Sequence, residues 1–417
     1  MIKRILIILI FFSSINFLQA QRKVDREKLF SDYAKKENRE KTKNDFFKRI
    51  ERIFSGEIKE ADWIDAFLEV ELLLYKDSLV NNALEQGLRS YQKRSDKFNR
   101  QTIETAYTLY PKQFSKIVRD IFNSTNNKKV FSVASHYLLK NNFLSSQEIL
   151  NILKSKFPKA GDDPILKYLI IDLKNETKEL PSLTDLLHHD FQKDKTIIYS
   201  IHRKNRRYPG LTIIKAPNGK FVRNADSSIF SIPQLALSAA NLPGYMKNGN
   251  TPQGIFSVVG FYISPTETLG PTPNVLTRIP FEVSTKIFYH GEVQSSQWNL
   301  EDYKNLLPAS WQNFPPIMES FYAGKSGRRL IVMHGSTDDL SFYEDEPFYP
   351  LTPTRGCLTT KEIWNEDGTN KLSDQAKLMN AFFSTGKLEG FLVVVEIDDK
   401  KAPVNIEEIL PFLRQTK

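Results

Sequence analysis

The first half of the chain carries the hydrophobic spacing of amphipathic helices. Between about residues 22 and 180, apolar side chains recur every three or four positions, as in Phe46, Phe47, Ile50, Ile53 and Phe54, and then in Trp63, Phe67, Val70 and Leu74. Further helix starts are indicated by Pro111, by the Ser145–Glu148 capping box and by Asp163-Pro164. The pattern predicts an α-helical domain over residues 21–190. Its short connections are typical of antiparallel helical hairpins, but no fixed repeat length accompanies them.

After about Lys193 the pattern changes to short β-rich segments separated by turn residues. The predicted strands are Thr196–Ile201, Leu211–Ala216, Phe221–Arg223, Ile255–Tyr262, Phe281–Tyr289, Leu330–Met333 and Phe391–Ile397. Pro217-Asn218-Gly219 predicts a hairpin turn, Asn365–Gly368 a second turn and Asp374–Phe383 a helix. Residues 195–400 are therefore predicted to form a mainly β domain, and residues 401–417 a C-terminal tail. A chain of 417 residues also exceeds one ordinary hydrophobic core, which favours a multidomain protein.

The first residues have the layout of a secretory signal peptide. Lys3 and Arg4 precede the apolar run Ile5–Phe12, and the segment closes at Leu18-Gln19-Ala20. Such a run is too short to span a membrane, which takes about 20 apolar residues. The sequence predicts a signal peptide over residues 1–20 and export to the periplasm or cell envelope, with membrane contact through that peptide alone. An uncleaved anchor is the alternative.

The formal charge of +9 arises from 58 basic and 49 acidic residues. The two signs are mixed along the chain instead of being clustered, so no nucleic-acid partner is expected. A surface that tolerates an anionic envelope fits this composition better.

Cys357 is the only cysteine, which excludes an internal disulfide. In an oxidising compartment, a single thiol is prone to oxidation if it is exposed, so it is expected either to be buried or to have a function. The neighbouring motifs favour use. The apolar run Leu330–Met333 ends in His334-Gly335-Ser336, and Gly356 allows a tight turn beside the thiol. A nucleophilic cysteine requires such a base and such a backbone.

A helix is predicted to start just after Cys357. Thr359 and Glu362 have the spacing of a capping box. The positive end of that helix would favour a thiolate over the free thiol.

These motifs resemble the catalytic domain of the L,D-transpeptidase family, the YkuD-type fold, whose signature is a His-Gly strand end followed by a Ser/Thr-x-Gly-Cys turn. The matching residues are His334-Gly335 and Thr354-Arg355-Gly356-Cys357-Leu358. Asn250-Thr251-Pro252-Gln253-Gly254-Ile255-Phe256 is similar to the Thr-Pro-x-Gly-x-Phe segment that enters a core strand of that family. The resemblance covers roughly residues 196–398 and leaves the helical half outside it.

The resemblance implies thioester chemistry on the peptide stems of peptidoglycan. Cys357 would be the nucleophile, and His334 the general base and acid, oriented by the main-chain carbonyl of Gly335 or Ser336. The N–H groups of Gly356 and Cys357 would hold the oxyanion. Neither a cofactor nor a metal is implied. The substrate-binding positions would be Arg355, Thr354 and Ser336.

Two positions and one insertion depart from the family pattern. Many members carry His where Arg355 stands, and Arg or Asn where Thr359 stands. Arg355 is interpreted as a ligand for a substrate carboxylate, and an exposed arginine without a role is the alternative. The insertion, residues 337–353, mixes acidic and aromatic side chains and is a candidate lid.

Other motifs carry weaker chemistry. His188-His189-Asp190 lacks further ligands at helical spacing, so a polar linker is favoured over a metal site. Gly324-Lys325-Ser326 resembles the end of a phosphate-binding loop, but Glu319 stands where the upstream glycine is required. His290 is predicted to lie on the surface, with a place in the cleft as the alternative. The histidines interpreted as structural are His136 and His202.

Three functions stay open at this level. The first is an L,D-transpeptidase that cross-links peptidoglycan and so contributes to cell-wall organisation and cell shape. The second is an L,D-carboxypeptidase or related amide hydrolase with the same Cys–His dyad, because the fate of a thioester depends on whether an amine or water reaches it. The third is a wall-binding or scaffolding protein with an inactive catalytic domain. The helical domain is expected to recognise glycan or an envelope protein partner.

Overall fold

The computed structural model describes residues 23–174, 179–292 and 295–414, so the predicted signal peptide lies outside the described residues. A helical region comes first and is followed by one short helix that leads into the β region. The helices are α1 (Lys36–Phe54), α2 (Glu60–Leu72), α3 (Ser78–Arg89), α4 (Asp96–Leu109), α5 (Ser115–Ser124), α6 (Lys128–Lys140), α7 (Ser146–Lys156), α8 (Pro164–Lys174) and α9 (Leu183–His188).

Local capping explains where several of these helices begin. Ser145 and Glu148 form the predicted capping box at the start of α7. A carboxylate oxygen of Asp163 accepts hydrogen bonds from the backbone N–H groups at the start of α8, as the Asp163-Pro164 pair predicts. The predicted start at Pro111 is wrong, because Pro111 lies in a turn and α5 begins at Ser115.

The second half of the chain forms an eight-stranded closed barrel, with strand order β1-β10-β4-β5-β6-β7-β3-β2. The pairs β1–β10 and β6–β7 are parallel, and the other pairs in the barrel are antiparallel. Strands β8 and β9 form a separate hairpin. The strands are β1 (Thr196–Arg203), β2 (Gly210–Lys215), β3 (Ile232–Leu235), β4 (Gly254–Tyr262), β5 (Asn274–Arg278), β6 (Met333–His334), β7 (Leu358–Thr360), β8 (Glu362–Trp364), β9 (Asn370–Ser373) and β10 (Gly390–Asp398).

Five further helices accompany the barrel: α10 (Thr285–Phe288), α11 (Leu300–Asn305), α12 (Glu319–Lys325), α13 (Asp374–Ser384) and α14 (Ile406–Leu413). The predicted helix Asp374–Phe383 is confirmed by α13, and the predicted turn Asn365–Gly368 joins β8 to β9. Pro217-Asn218-Gly219 also forms a turn, closed by hydrogen bonds between Ala216 and Lys220 and between Gly219 and Ala216.

Four predicted strands are confirmed by β1, β2, β4 and β10, but three others are wrong in whole or in part. Phe281–Tyr289 contains the helix α10 instead of a strand, because the Ser284 side chain caps the Ile287 N–H. Phe221–Arg223 makes only isolated bridges, and Leu330–Met333 reduces to the last residue before His334. The sequence pattern also missed the short strands β3 and β5.

The helical region and the barrel share one hydrophobic core. A single cluster of buried side chains runs from α1 through the barrel to α14. At the junction, the ring of Tyr168 on α8 packs against those of Tyr245 and Tyr322, and His136 Nε2 lies 2.8 Å from the Tyr245 hydroxyl. The two halves are therefore packed as one body.

The predicted C-terminal tail contains the helix α14, which is anchored to the barrel. Arg203 on β1 donates to Glu408 at 2.6 Å, and Ile409 is buried. Over the described parts of the chain, no helix combines the length and apolar character needed to cross a membrane.

Candidate functional site

Parallel pairing of β6 with β7 brings the strand that carries His334 next to the strand that directly follows Cys357. Met333 pairs with Leu358, and His334 pairs with Thr359. Leu358 and Met333 are buried in the hydrophobic core, and side-chain alternation places His334 and Thr359 on the opposite face of these strands. Cys357 immediately precedes β7, and its Sγ lies 3.4 Å from the carbonyl of Leu330 in the segment that leads into β6.

His334 is held in one orientation by its own neighbour. The ring nitrogen Nδ1 lies within hydrogen-bonding distance of the Gly335 carbonyl, so an Nδ1–H donor leaves Nε2 as the basic nitrogen. Burial lowers the pKa of His334 to about 4, and the Gly335 carbonyl opposes that shift. The imidazole is therefore neutral at neutral pH, as a proton acceptor must be.

A buried carboxyl group packs so closely against residue 335 that only glycine fits there. A Cβ atom there would collide with the side chain of Glu362 on β8. Glu362 Oε1 accepts hydrogen bonds from the hydroxyls of Thr272 and Ser373, and burial raises the pKa of Glu362 to about 7. Sequence reasoning assigned Glu362 to a helix cap and missed its place behind His334-Gly335.

The thiol of Cys357 is half-buried and protonated at neutral pH. Its Sγ donates to the Leu330 carbonyl at 3.4 Å. Burial raises the pKa of Cys357, whereas the Val332 N–H and the Arg328 charge lower it. No hydrogen bond joins the thiol to His334 among the described residues. The resting pair is a thiol and a neutral imidazole.

The helix predicted to follow Cys357 is absent, because strand pairing takes its place. Residues Leu358–Thr360 form β7, and the Thr359 hydroxyl donates to the Thr352 carbonyl at 2.7 Å instead of capping a helix. Pairing with His334 on β6 overrides the local capping signal. The thiol therefore gains no stabilisation from a helix dipole, which corrects the prediction of a lowered pKa.

The turn before Cys357 uses the groups that were assigned to substrate. The Gly356 N–H donates to Thr354 Oγ1 at 2.9 Å, and that hydroxyl donates to the Cys357 carbonyl at 2.9 Å. Thr354 therefore stabilises the turn and is not free for substrate. The Gly356 N–H, which is the predicted oxyanion donor, is likewise engaged by Thr354 in this arrangement.

Gly356 has a conformational role instead. Its φ angle of +114° lies in a region that L side chains rarely adopt. An added Cβ would also collide with the Arg328 guanidinium and lie 2.7 Å from the Gly249 carbonyl. The glycine thus permits the turn to sit directly against Arg328.

Ser336 and the 337–353 insertion are structural. Ser336 Oγ donates to Asp338 Oδ2 at 2.8 Å, and its carbonyl accepts from the Trp364 indole at 2.9 Å. None of the residues of the insertion lines the cavity beside Cys357. Its Tyr343 hydroxyl donates to the Leu72 carbonyl at the end of α2. Its buried side chains pack with β3 in a second apolar cluster, which comprises Leu235, Leu237, Tyr343, Phe348 and Leu351.

Arg328 is a site residue that sequence reasoning missed. Its buried guanidinium donates to four main-chain carbonyls, and no carboxylate accepts from it among the described residues. Burial lowers the pKa of Arg328 to about 10, so it stays charged at neutral pH. The adjacent Arg329 is exposed, and nothing in the sequence distinguishes the two. The four accepting carbonyls belong to Gly244, Gly249, Asn250 and Arg355.

A cavity of about 580 Å³ opens beside Cys357. Arg355 is exposed and lines it, as the substrate-binding hypothesis requires, whereas His334 does not line it. The helical region forms part of the wall through α4, α6 and α8. The structure therefore brings Cys357 and Arg355 into one cavity, with His334 outside it.

His189 and His290 lie away from this cavity, whereas Ser326 of the Gly324-Lys325-Ser326 motif lines it. His290 is buried, not exposed, and its Nε2 lies 2.8 Å from the Gly390 carbonyl. His189 Nε2 lies 3.0 Å from the Leu306 carbonyl, and Gly324-Lys325-Ser326 ends the helix α12. Within the described ranges, no group of three His, Cys, Asp or Glu side chains is placed to hold a metal ion.

The protonation state of the thiol predicts how Cys357 reacts with a neutral alkylating agent. The rate with iodoacetamide is expected to rise about tenfold per pH unit between about pH 6 and pH 9, because only the thiolate reacts. Mass spectrometry of the alkylated protein measures this rate. His334→Gln serves as the control and should leave the profile unchanged. A plateau below about pH 8 that disappears in His334→Gln would instead indicate a thiolate–imidazolium pair.

Comparison of the chain with protein-family models, curated proteins and solved structures found no match.

Proposed function

We propose that this protein is an exported, peptidoglycan-modifying cysteine acyltransferase of the L,D-transpeptidase type. The observation that carries the proposal is the pairing of the strand that carries His334 with the strand that directly follows Cys357, together with the orientation of His334 by the Gly335 carbonyl. The proposed location is the periplasm or cell envelope, and the proposed substrates are peptidoglycan peptide stems.

The neutral pair sets the order of proton movements. The thiol leaves its hydrogen bond to Leu330, transfers its proton to His334 Nε2 and attacks the carbonyl carbon after the third stem residue. Collapse of the tetrahedral intermediate breaks the amide bond. The departing amine of the terminal D-alanine takes the proton from His334, and a thioester remains on Cys357.

An acceptor amine then completes the reaction. It attacks the thioester carbonyl carbon and gives its proton to His334, and the C–S bond breaks. His334 returns the proton to sulfur, so the enzyme is regenerated and a new amide joins two stems. Water in place of the amine yields a shortened stem, which is the carboxypeptidase reaction.

The proposal is tested by incubating the purified mature chain with a disaccharide-tetrapeptide and separating the products by mass spectrometry. A cross-linked dimer and released D-alanine are expected, and Cys357→Ser should abolish both. A tripeptide product alone would assign the carboxypeptidase activity. A carbapenem should also add its mass to Cys357 if a thioester forms. Turnover that survives Cys357→Ser would sink the mechanism.

A wall-binding or scaffolding role without turnover is the second candidate. The hydrogen bond from the thiol to the Leu330 carbonyl, together with the raised pKa of Cys357, favours it. Under this alternative the protein binds purified peptidoglycan in a sedimentation assay, whereas neither the tetrapeptide nor the carbapenem acylates Cys357.

A further inference from the structure

The cavity beside Cys357 is lined by six cationic side chains and, among the described residues, by no acidic one. Two of the six are already engaged. Arg100 on α4 forms an ion pair with Glu104, and Arg328 donates to main-chain carbonyls. The other four cations have no ion-pair partner within the described part of the chain. These four are Lys129, Lys247, Arg329 and Arg355.

These four cations are exposed, while the cavity also has a buried apolar part. Val133 on α6, Ile165 on α8, Met246 and Ile331 are buried side chains in its lining. Apolar lining with charged groups at exposed positions suits a ligand that carries both an apolar portion and anionic groups.

The helical region contributes directly to this charge. Lys129 lies in the first turn of α6, and its side chain reaches the same cavity as Lys247 from the barrel half. Burial lowers the pKa of Lys247, and the charges of Arg100 and Lys129 lower it further, which places these cations close together. The charge of Glu104, which is paired with Arg100, opposes this lowering of the Lys247 pKa, but the cations outnumber it and together attract an anion.

We propose that Lys129 on the helical region and Lys247 on the barrel form a joint recognition site that selects an anionic ligand with two or more carboxylates for Cys357. The selection of an anion follows from the cations that line the cavity, and the choice of carboxylates as the anionic groups follows from the peptide ligand of the proposed function. The identification of the ligand as an acyl-donor peptide stem also rests on the proposed function.

The charge selectivity of Cys357 alkylation tests this site without any turnover. In the full mature chain, the thiolate displaces iodide from either anionic iodoacetate or neutral iodoacetamide, and a C–S bond forms. The rate ratio of iodoacetate to iodoacetamide, relative to that of N-acetylcysteine, is expected to be raised about tenfold at low ionic strength. It should fall towards one in about 1 M salt, where charges are screened within about 3 Å.

Adjacent lysines on α6 provide the matched variants. Lys129→Ala and Lys247→Ala should each lower the ratio about threefold. Lys128→Ala removes the same charge one position away, where Nζ is paired with Asp163 at 2.8 Å and does not line the cavity, so it should leave the ratio unchanged. Equal ratios for Lys128→Ala and Lys129→Ala, or a wild-type ratio equal to that of N-acetylcysteine, would overturn the proposal.

A second measurement does not depend on access to the thiol. Tricarballylate, which carries three carboxylates, should bind the Cys357→Ser chain in calorimetry, and adding Lys129→Ala should weaken binding about threefold. Adding Lys128→Ala should not. Equal affinity in all three chains refutes the site even if the peptide assay succeeds. A raised alkylation ratio without any acylation by tetrapeptide refutes the transpeptidase proposal alone.

Discussion

Arg328→Met is expected to destabilise the protein by about 3 kcal/mol or more, because four main-chain carbonyls lose their donor in a buried position. The methionine side chain fits the space but offers no hydrogen. The carbonyls of Gly249 and Asn250 hold the loop beside the cavity, and that of Arg355 belongs to the cysteine turn. A fall in melting temperature of at least about 4 °C should be seen by circular dichroism.

The neighbouring arginine gives the matched control. Arg329→Met removes the same charge from an exposed position and should shift the melting temperature by about 1 °C or less. Arg328→Lys keeps the charge but has fewer hydrogen-bond donors, so its melting temperature should lie between those of Arg328→Met and Arg329→Met. Similar melting temperatures for Arg328→Met and Arg329→Met would show that the buried guanidinium does not organise the site.

Glu362→Gln is expected to make the protein more stable than the wild type above about pH 7 and not below about pH 5. Burial raises the folded-state pKa of Glu362 from 4.5 to about 7, so the folded protein favours the protonated carboxyl. The stability is fully present below the unfolded-state pKa and is lost as pH rises through the folded-state value. The loss amounts to about 2–3 kcal/mol at pH 8.

The amide of glutamine does not titrate and keeps an oxygen to accept from Thr272 and Ser373. The melting temperature of Glu362→Gln should therefore exceed that of the wild type by about 3 °C at pH 8 and match it near pH 5. Glu366→Gln changes an exposed carboxylate of the same hairpin and should show no such crossover. A pH-independent difference between Glu362→Gln and the wild type would mean that Glu362 is not protonated in the folded state.

Local periodicity accounts for the parts of the fold that sequence reasoning predicted. The spacing of Phe46, Ile50 and Phe54 defines one buried face of α1, and the apolar run Phe391–Ile397 defines a central strand. Short strands such as β5 and β6 were not predicted, because they have few residues and form only by pairing with neighbouring strands. The segment 281–289 was assigned to the wrong class because its serine cap outweighed its apolar residues.

The sequence by itself determined the helical and β halves of the chain, the single thiol, the His-Gly and Gly-Cys motifs, and the helix starts at Ser145 and Pro164. These features depend on neighbours a few positions apart. Only the tertiary structure decided that β7 replaces a helix after Cys357, that burial raises the pKa of the thiol, and that Arg328 is buried while Arg329 is exposed. It also decided that Lys129 joins the wall of the cavity. The physical reason is that burial, strand pairing and local charge are set by segments that lie far apart along the chain and meet only on folding.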